Sequence, residues 1–533
     1  MSDAASLSLP NRFEEDDATT RPGWWKWLIA LTAALGAILE VIDTSIVNVA
    51  LPEMQGNLGA TLSEIGWVVT GYAVANVVVI PLSAWLGDYF GKKKYFIFCL
   101  IGFTLASVLC GFATSLPMLI ISRVLQGLMG GGLLAKAQSI LFETFPREEQ
   151  GMAQGVFGLG VMIGPALGPT LGGYLTDTLG WRSIFFINIP FGILAVIMAA
   201  LFFVPDQLNA HMNRRVDWWG IGLLTLGLAC FQTMLEEGQT EDWFSSDFIV
   251  VMAILSFLGL ALFIWREMSI DYPAVNLRVL RYKSLAAGSV FSMVLGMGLY
   301  GALFVIPVFA QSILHFTAMQ TGLLMLPSAI VSAMFMMLGS QLSRWIDPRF
   351  IIAIGATILA LTLFSLAGIN PNTGEDSLYW PLIWRGIGTV LMFLPLTLAT
   401  LGPIAKEDIP AATGFFNLTR QIGGSIGIAV LTTVLAQREN FHRSVLSEHI
   451  SLYNPNVRAQ LAGMAQGFQH GGSPATVAKS QALLAMDNTL NLQASILSFS
   501  DIFWMVGIAF ILSMGLLFFL GKGNPASMPT DAH

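Results

Sequence analysis

Residues 27–51 read WLIALTAALGAILEVIDTSIVNVAL, an apolar run with two carboxylates in its interior. A helix of about 20 apolar residues crosses the hydrocarbon core of a bilayer, which is about 30 Å thick. Across the 533-residue chain 55% of the residues are apolar and 11% are charged, whereas soluble domains carry roughly 25% charge. This composition excludes a water-soluble protein and predicts an all-α membrane protein.

Further apolar runs of similar length follow, separated by polar segments. Lysine and arginine collect in alternate short loops, including Lys92, Lys93 and Lys94, whereas the short loops on the opposite side contain only Arg182. Because such residues are retained in cytoplasmic loops, we predict that both termini are cytoplasmic. We predict fourteen transmembrane helices, at residues 27–51, 65–86, 95–112, 117–142, 152–176, 183–203, 218–235, 248–265, 285–313, 321–342, 350–369, 379–401, 411–436 and 502–520.

The first six and last six predicted helices resemble each other, which indicates two six-helix bundles with two extra helices inserted between them. Capping boxes are predicted at equivalent helix starts, Thr61 to Glu64 and Thr317 to Gln320. The predicted domains are a disordered cytoplasmic tail (1–23), an N-terminal bundle (24–204), inserted helices (217–265), a C-terminal bundle (284–520) with a long periplasmic loop (437–501), and a cytoplasmic tail (521–533).

Two acidic residues of the first helix are candidates for proton binding. A charge near the bilayer centre costs about 2.5–3.5 kcal/mol, so such residues need a reason to be there. Glu40, Asp43 and Asn48 lie on one helix face. Low dielectric and mutual repulsion favour the neutral acids, so each could load and release a proton. Alternatively, the carboxylates are static partners of Arg123 and Lys136 that hold the first and fourth helices together.

Other residues receive structural interpretations. Arg385, which matches Arg123 in the second half, is expected to cap carbonyls in its own bundle. Lys136 is expected to extend its ammonium group to the membrane interface. All six histidines fall in loops or tails, and the sequence contains no Gly-x-x-x-x-Gly-Lys-Ser/Thr loop. We therefore predict no metal, no cofactor and no nucleic-acid partner, with an ion gradient driving any pumping.

Small residues recur every four positions in the fifth predicted helix, accompanied by prolines: Gly160, Gly164, Pro165, Gly168, Pro169, Gly172 and Gly173. This spacing lets helix backbones touch, while the prolines bend the helix. The pattern indicates either ordinary tight packing or a seal or pivot between the bundles. Similarly, the loop with Asp88, Gly91 and Lys92 is either a charged turn or a latch that stabilises one facing state.

Together these residues resemble the major facilitator superfamily, and within it the fourteen-helix drug:proton antiporters of the EmrB/QacA type, especially the EmrB-like multidrug export permeases. The resemblance covers nearly the whole chain. It rests on the motifs LEVIDTSIVNVALP at 39–52, GDYFGKK at 87–93, RVLQG at 123–127, GPALGPTLGG at 164–173, WRSIFFINIP at 181–190 and NLTRQ at 417–421.

The resemblance implies a proton-coupled antiporter that exports hydrophobic or drug-like molecules across the bacterial inner membrane by alternating access. It implies proton coupling at Asp43 with Arg123, and Glu40 is a further candidate. A periplasmic adaptor and an outer-membrane channel are implied partners. The candidates for the substrate cavity are Asn48, Gln126, Asn417, Arg420 and Gln421. A proton-coupled nutrient importer, and a membrane receptor or enzyme, remain as alternatives.

Overall fold

The computed structural model describes residues 23–204, 216–270, 272–370, 373–451 and 453–518. These residues form α-helices and three short 3-10 turns, and no strand occurs among them. The tail predicted at 521–533, and all but Gly23 of the tail predicted at 1–23, lie outside the described residues. The helices are α1 Trp25–Leu58, α2 Leu62–Phe90, α3 Lys92–Gly111, α4 Leu116–Gly130, α5 Leu133–Thr144, α6 Arg147–Leu179, α7 Ser183–Phe186, α8 Asn188–Phe202, α9 Trp218–Glu237, α10 Asp247–Ser269, α11 Lys283–Ser312, α12 Ala318–Trp345, α13 Pro348–Leu366, α14 Glu375–Leu401, α15 Ile409–Glu448, α16 Pro455–His470 and α17 Ala475–Ser513.

Each predicted span overlaps a helix of the structure. Within the described ranges, twelve helical segments are long and apolar enough to cross a membrane, and the bent helix α6 brings the number to thirteen. The predicted span at 285–313 coincides with α11, which runs from Lys283 to Ser312. The protein is therefore an all-helical, multi-pass membrane protein, and the exact number of fourteen crossings stays a prediction.

Two helices begin at the capping boxes that the sequence predicts. The hydroxyl of Thr61 accepts from the Glu64 amide at 3.3 Å, and the Glu64 carboxylate accepts from the Thr61 amide at 2.8 Å. The same exchange joins Thr317 and Gln320 at 3.2 and 2.8 Å. Both predictions are confirmed, and their equivalent positions support the internal repeat.

The helices pack as an N-terminal bundle (α1–α8) and a C-terminal bundle (α11–α15 with α17). Helix α6 packs on α1 in its own bundle and on α12 of the other, while α2 and α5 contact α15 across the same interface. The inserted helix α9 packs against α2 and α15, and α10 packs against α9. Arg266 of α10 binds both carboxylate oxygens of Asp217, with Nη2 donating to Oδ1 at 2.6 Å and Nε donating to Oδ2 at 2.9 Å, and so joins the two inserted helices.

The fourth predicted span is broken into α4 and α5. Three consecutive glycines end at Gly132, and side chains there would collide with neighbours. A Cβ on Gly131 would lie 2.4 Å from the carbonyl oxygen of Asn76, and one on Gly132 would lie 2.3 Å from the hydroxyl of Tyr95. The close approach requires glycine, and the break leaves the first amides of α5 free to bind an acceptor.

The region predicted as a long loop, 437–501, is mostly helical. Helix α15 continues to Glu448, α16 follows, and α17 begins at Ala475. Arg438 contacts Asp501 at 2.6 Å, which joins α15 to α17. Hydropathy could not reveal these helices, because it detects segments that are apolar enough to enter lipid. These helices have polar faces and lack that signal.

Candidate functional site

Asp43 lies at the centre of a buried polar cluster in the N-terminal bundle. Its side chain is 0% exposed, and its Oδ2 lies 2.5 Å from Nη1 of Arg123. Gln126 and Asn188 both donate to the other oxygen, Oδ1, at 2.8 and 3.0 Å. The structure thus brings together the predicted pair of Asp43 and Arg123 and gives each carboxylate oxygen at least one donor.

Arg123 is held by three further contacts. Its Nε donates to the carbonyl of Val68 at 3.1 Å, and its Nη1 donates to Oε1 of Gln126 at 2.7 Å. The guanidinium carbon lies 4.1 Å from the ring centroid of Tyr72, a cation–π contact. These contacts offset the cost of burying the charge, and they tie α1, α2, α4 and α8 together around Asp43.

Glu40 occupies a separate position, at the break between α4 and α5. Asn76 donates to its Oε1 at 2.9 Å, and the amide of Leu134 donates to its Oε2 at 3.0 Å. Leu134 belongs to the first turn of α5, where free amides and the helix dipole favour a negative charge. Glu40 therefore caps the start of α5, a role that only the helix break makes possible.

Lys136 does not reach the membrane interface, contrary to the sequence-based expectation. It is 1% exposed, and a Cβ on Gly87 would lie 2.0 Å from its Nζ. The missing side chain at Gly87 makes room for the ammonium group under the end of α2. The expectation was wrong because it assumed that a lysine near the inner end of its helix can reach water. The packing of α2 over this position prevents that.

The charged loop between α2 and α3 binds within its own bundle. Lys92 forms an ion pair with Glu143 of α5, and Lys93 donates to carbonyls at the end of α8, including that of Ala200 at 2.7 Å. Gly91 has a φ of +96°, a conformation that favours glycine, and Asp88 is exposed. These contacts hold the N-terminal bundle together, and a latch between facing states stays a prediction.

The glycine-rich helix α6 is bent by 43° where the sequence has Pro165. Its regularly spaced glycines face α1, because a Cβ on Gly164 would lie 2.7 Å from Val41 and one on Gly168 would lie 1.9 Å from the hydroxyl of Ser45. The seam of Gly160, Gly164, Gly168 and Gly172 therefore packs two helices of one bundle, as ordinary tight packing requires, and a role as a seal or pivot between the bundles stays a prediction. Among the predicted glycines, Gly173 faces α12, where a Cβ would lie 3.1 Å from the amide of Met319.

A polar contact joins the two bundles at α5 and α15. Nδ2 of Asn417 donates to Oε1 of Gln138 at 2.7 Å. Arg420 donates to Oδ1 of Asn417, and its guanidinium carbon lies 4.9 Å from the ring centroid of Phe393. Asn417 thus joins the two bundles in this conformation, and Arg420 binds Asn417 from within the same bundle.

A separate narrow cleft, partly open to the exterior, lies between the bundles. Helices of both bundles line it, and its polar side chains come from α12 and α14. The structure places none of the five predicted cavity residues in this lining: Gln126 binds Asp43, Asn417 joins the bundles, Arg420 binds Asn417, Asn48 is exposed and Gln421 is half-buried. Their role in substrate binding stays a prediction.

Arg385 lines this cleft and is 7% exposed. In the described part of the chain it makes no hydrogen bond to a carbonyl, so the expected capping role is not observed. The cleft also contains Ser328, Ser332 and Thr389, which the sequence analysis did not single out. These are ordinary residues of apolar helices, and no pattern in the sequence marks them.

Three uncharged partners of the buried acids and of the bundle contact were also missed. They are Asn76, Gln138 and Asn188, each at most 3% exposed. A signal was available, because an amide inside a transmembrane run needs a polar partner just as a charge does. Asn188 even lies within one of the quoted motifs.

Comparisons with known proteins agree with this architecture. The family model of the Major Facilitator Superfamily matches residues 33–428. The multidrug export protein EmrB of Escherichia coli K12 is 32% identical over 496 residues, which cover 92% of this chain and 94% of that protein. The fatty acid resistance protein FarB of Neisseria gonorrhoeae is 31% identical over 485 residues, which cover 91% and 94%. The crystal structure of the human organic anion transporter MFSD10 matches with a TM-score of 0.59 at 13% identity, over 93% of this chain and 100% of that chain, and so shows similarity of fold.

Proposed function

The chain belongs to the major facilitator superfamily, and from that premise we propose that it is a proton-coupled antiporter that exports hydrophobic or drug-like molecules. It would work by alternating access across the bacterial inner membrane, with fourteen crossings and both termini cytoplasmic. The names of its relatives support export: one is a multidrug export protein and another is a fatty acid resistance protein. A nutrient importer of the same fold is the alternative.

The observation that carries proton coupling is the sealed pair of Asp43 and Arg123. An adjacent guanidinium favours the charged carboxylate, and its removal favours the proton. Asp43 is 0% exposed here, so a proton can reach it only when the helices around it rearrange. Proton binding and that rearrangement are therefore linked, as coupling requires. A gradient supplies about 2.3 kcal/mol per proton per 100 mV.

Glu40 would contribute separately, because its contacts differ from those of Asp43. It caps α5, and α5 carries Gln138, which contacts Asn417 of the other bundle. A neutral Glu40 would bind the start of α5 less strongly. Protonation of Glu40 would thus weaken its hold on α5 and, through Gln138, affect the contact between the bundles.

A periplasmic adaptor and an outer-membrane channel would complete a tripartite system. This part of the proposal rests on the resemblance to EmrB-like permeases. The helices of region 437–501 are the part of the chain that would face such an adaptor, since they extend beyond the apolar spans of α15 and α17.

Transport of a fluorescent dye into inverted membrane vesicles tests the proposal. We expect Asp43→Asn to abolish uphill accumulation driven by a proton gradient, while Asp247→Asn, the same change at an exposed helix start, leaves it intact. Uphill pumping by Asp43→Asn with unchanged pH dependence would exclude Asp43 as the coupling site. Proton-driven release from inverted vesicles, instead of accumulation, would favour the importer. If Glu40→Gln loses only positively charged substrates, Glu40 serves recognition.

A further inference from the structure

Arg385 differs from the other buried arginines in having no partner. Arg123 is paired with Asp43, and Arg420 binds Asn417. Arg385 is 7% exposed, yet among the described residues it takes part in no ion pair and no hydrogen bond. An uncompensated buried charge costs several kcal/mol, so proteins rarely retain one without a function.

The cleft that contains Arg385 has one polar side and otherwise apolar walls. The hydroxyls of Ser328 and Ser332 lie beside α14 at this level, because a Cβ on Gly386 would lie 2.8 and 2.5 Å from them. The walls include Leu299, Met325, Leu363 and Phe510, and no aspartate or glutamate lines the cleft in the described part of the chain. Both hydroxyls donate to backbone carbonyls, that of Ser328 to Leu382 and that of Ser332 to Ser328, each at 2.7 Å. The cleft therefore offers a cation at one end and an apolar surface for the rest of a ligand.

The internal repeat shows which kind of partner Arg385 lacks. Arg123 and Arg385 occupy matching positions in the fourth helix of each half. The N-terminal half supplies a carboxylate, Asp43, to its arginine, and the C-terminal half supplies none within the cleft. A ligand carboxylate could pair with the free guanidinium through two parallel hydrogen bonds, as carboxylates in proteins do.

We infer that the cleft binds a single-chain organic anion, with the anionic group on Arg385 and the apolar chain against the walls formed by both bundles. This inference rests on the export function proposed above and specifies its substrate class. The same chemistry is found in the headgroup of an anionic bilayer lipid, and the experiment separates the two sources.

Binding of parinaric acid, a fluorescent fatty acid, to the purified full-length protein in neutral detergent at alkaline pH tests the inference. Its methyl ester has the same chain without the charge. We expect the wild type to bind the acid more tightly than the ester. Arg385→Gln should weaken acid binding by about 10- to 100-fold and leave ester binding within about 2-fold, because only the charge-assisted contact is lost. Arg385→Lys should bind the acid with intermediate affinity, since it keeps the charge without the planar fork.

Arg458→Gln is the matched control, because it removes an arginine at an exposed position on α16 and should leave acid binding unchanged. Unchanged ester binding shows that Arg385→Gln has kept its fold. Equal wild-type affinity for acid and ester, or equal acid affinity of Arg385→Gln and wild type, would overturn the inference. The inference would also be overturned if Arg385→Lys bound the acid no better than Arg385→Gln. Displacement of the probe by phosphatidylglycerol but not by laurate would overturn it as well. None of these readouts needs a proton gradient, so failure here is distinct from failure of the dye-export test.

Discussion

Substitution of Gly168 by alanine tests whether α6 and α1 are packed as closely as the structure shows. The new methyl group would lie 1.9 Å from Oγ of Ser45, 2.7 Å from its Cβ and 3.1 Å from the amide nitrogen of Ile46. The hydroxyl can rotate away, but the Cβ and the backbone cannot. Carbon atoms in contact are about 3.5–4.0 Å apart, so the two helices must separate by roughly 0.8 Å or more at this level.

The cost follows from two opposing effects. Overpacking of a tight site costs about 1–3 kcal/mol. Replacement of glycine by alanine inside a helix stabilises the folded protein by roughly 0.5–1 kcal/mol. The difference is about 0–2.5 kcal/mol, and we expect Gly168→Ala to lower the free energy of unfolding by about 1 kcal/mol, near the middle of that range.

Unfolding in dodecyl maltoside micelles, titrated with sodium dodecyl sulfate and followed by circular dichroism, measures this free energy. Gly66→Ala is the control, because a Cβ on Gly66 has no neighbour within 4 Å, and we expect its stability to be equal or higher. Gly168→Ala combined with Ser45→Gly should recover most of the loss, since the colliding side chain is gone. Equal stability of Gly168→Ala and Gly66→Ala would refute the packing argument.

Two further predictions concern the ion pair and the capping boxes. Arg123→Met leaves Asp43 buried without its charge partner, so the free energy of unfolding should fall by about 3–5 kcal/mol; the double variant with Asp43→Asn should recover much of it, and additive losses in the same titration would contradict the pairing. Thr61→Ala and Thr317→Ala should each cost about 1 kcal/mol through the lost cap, whereas Thr61→Ser should cost little, and a serine variant as unstable as the alanine variant would contradict the hydrogen-bonded cap.

The features that could be predicted from the sequence are those set by short-range physics. Apolar runs long enough for a bilayer placed the helices, and the boxes at Thr61 and Thr317 placed two helix starts. The helices within 437–501 were missed because hydropathy measures transfer into lipid, and a polar helix on a helical neighbour gives no such signal. The break before Leu133 was missed although three adjacent glycines indicate it.

Residues of the candidate site were predictable only in part. Asp43 and Arg123 stood out because charges are rare in apolar spans, and the structure joins them. The partners Asn76, Gln138 and Asn188 were not predicted, because an uncharged amide is less unusual in an apolar span than a charge. Which side chains line the cleft depends on how two bundles meet, a long-range property that no spacing in the sequence encodes.

The interrupted fourth span divides the two acids of α1 between two helices. Asp43 is bound to α4, which is anchored on α2 through Val68, whereas Glu40 is bound to α5. Helix α5 is twelve residues long, about 18 Å, and one turn beyond Leu134 it carries Gln138, whose amide touches Asn417. A helix of three turns thus connects an acid in the interior of one half with a side chain of the other half.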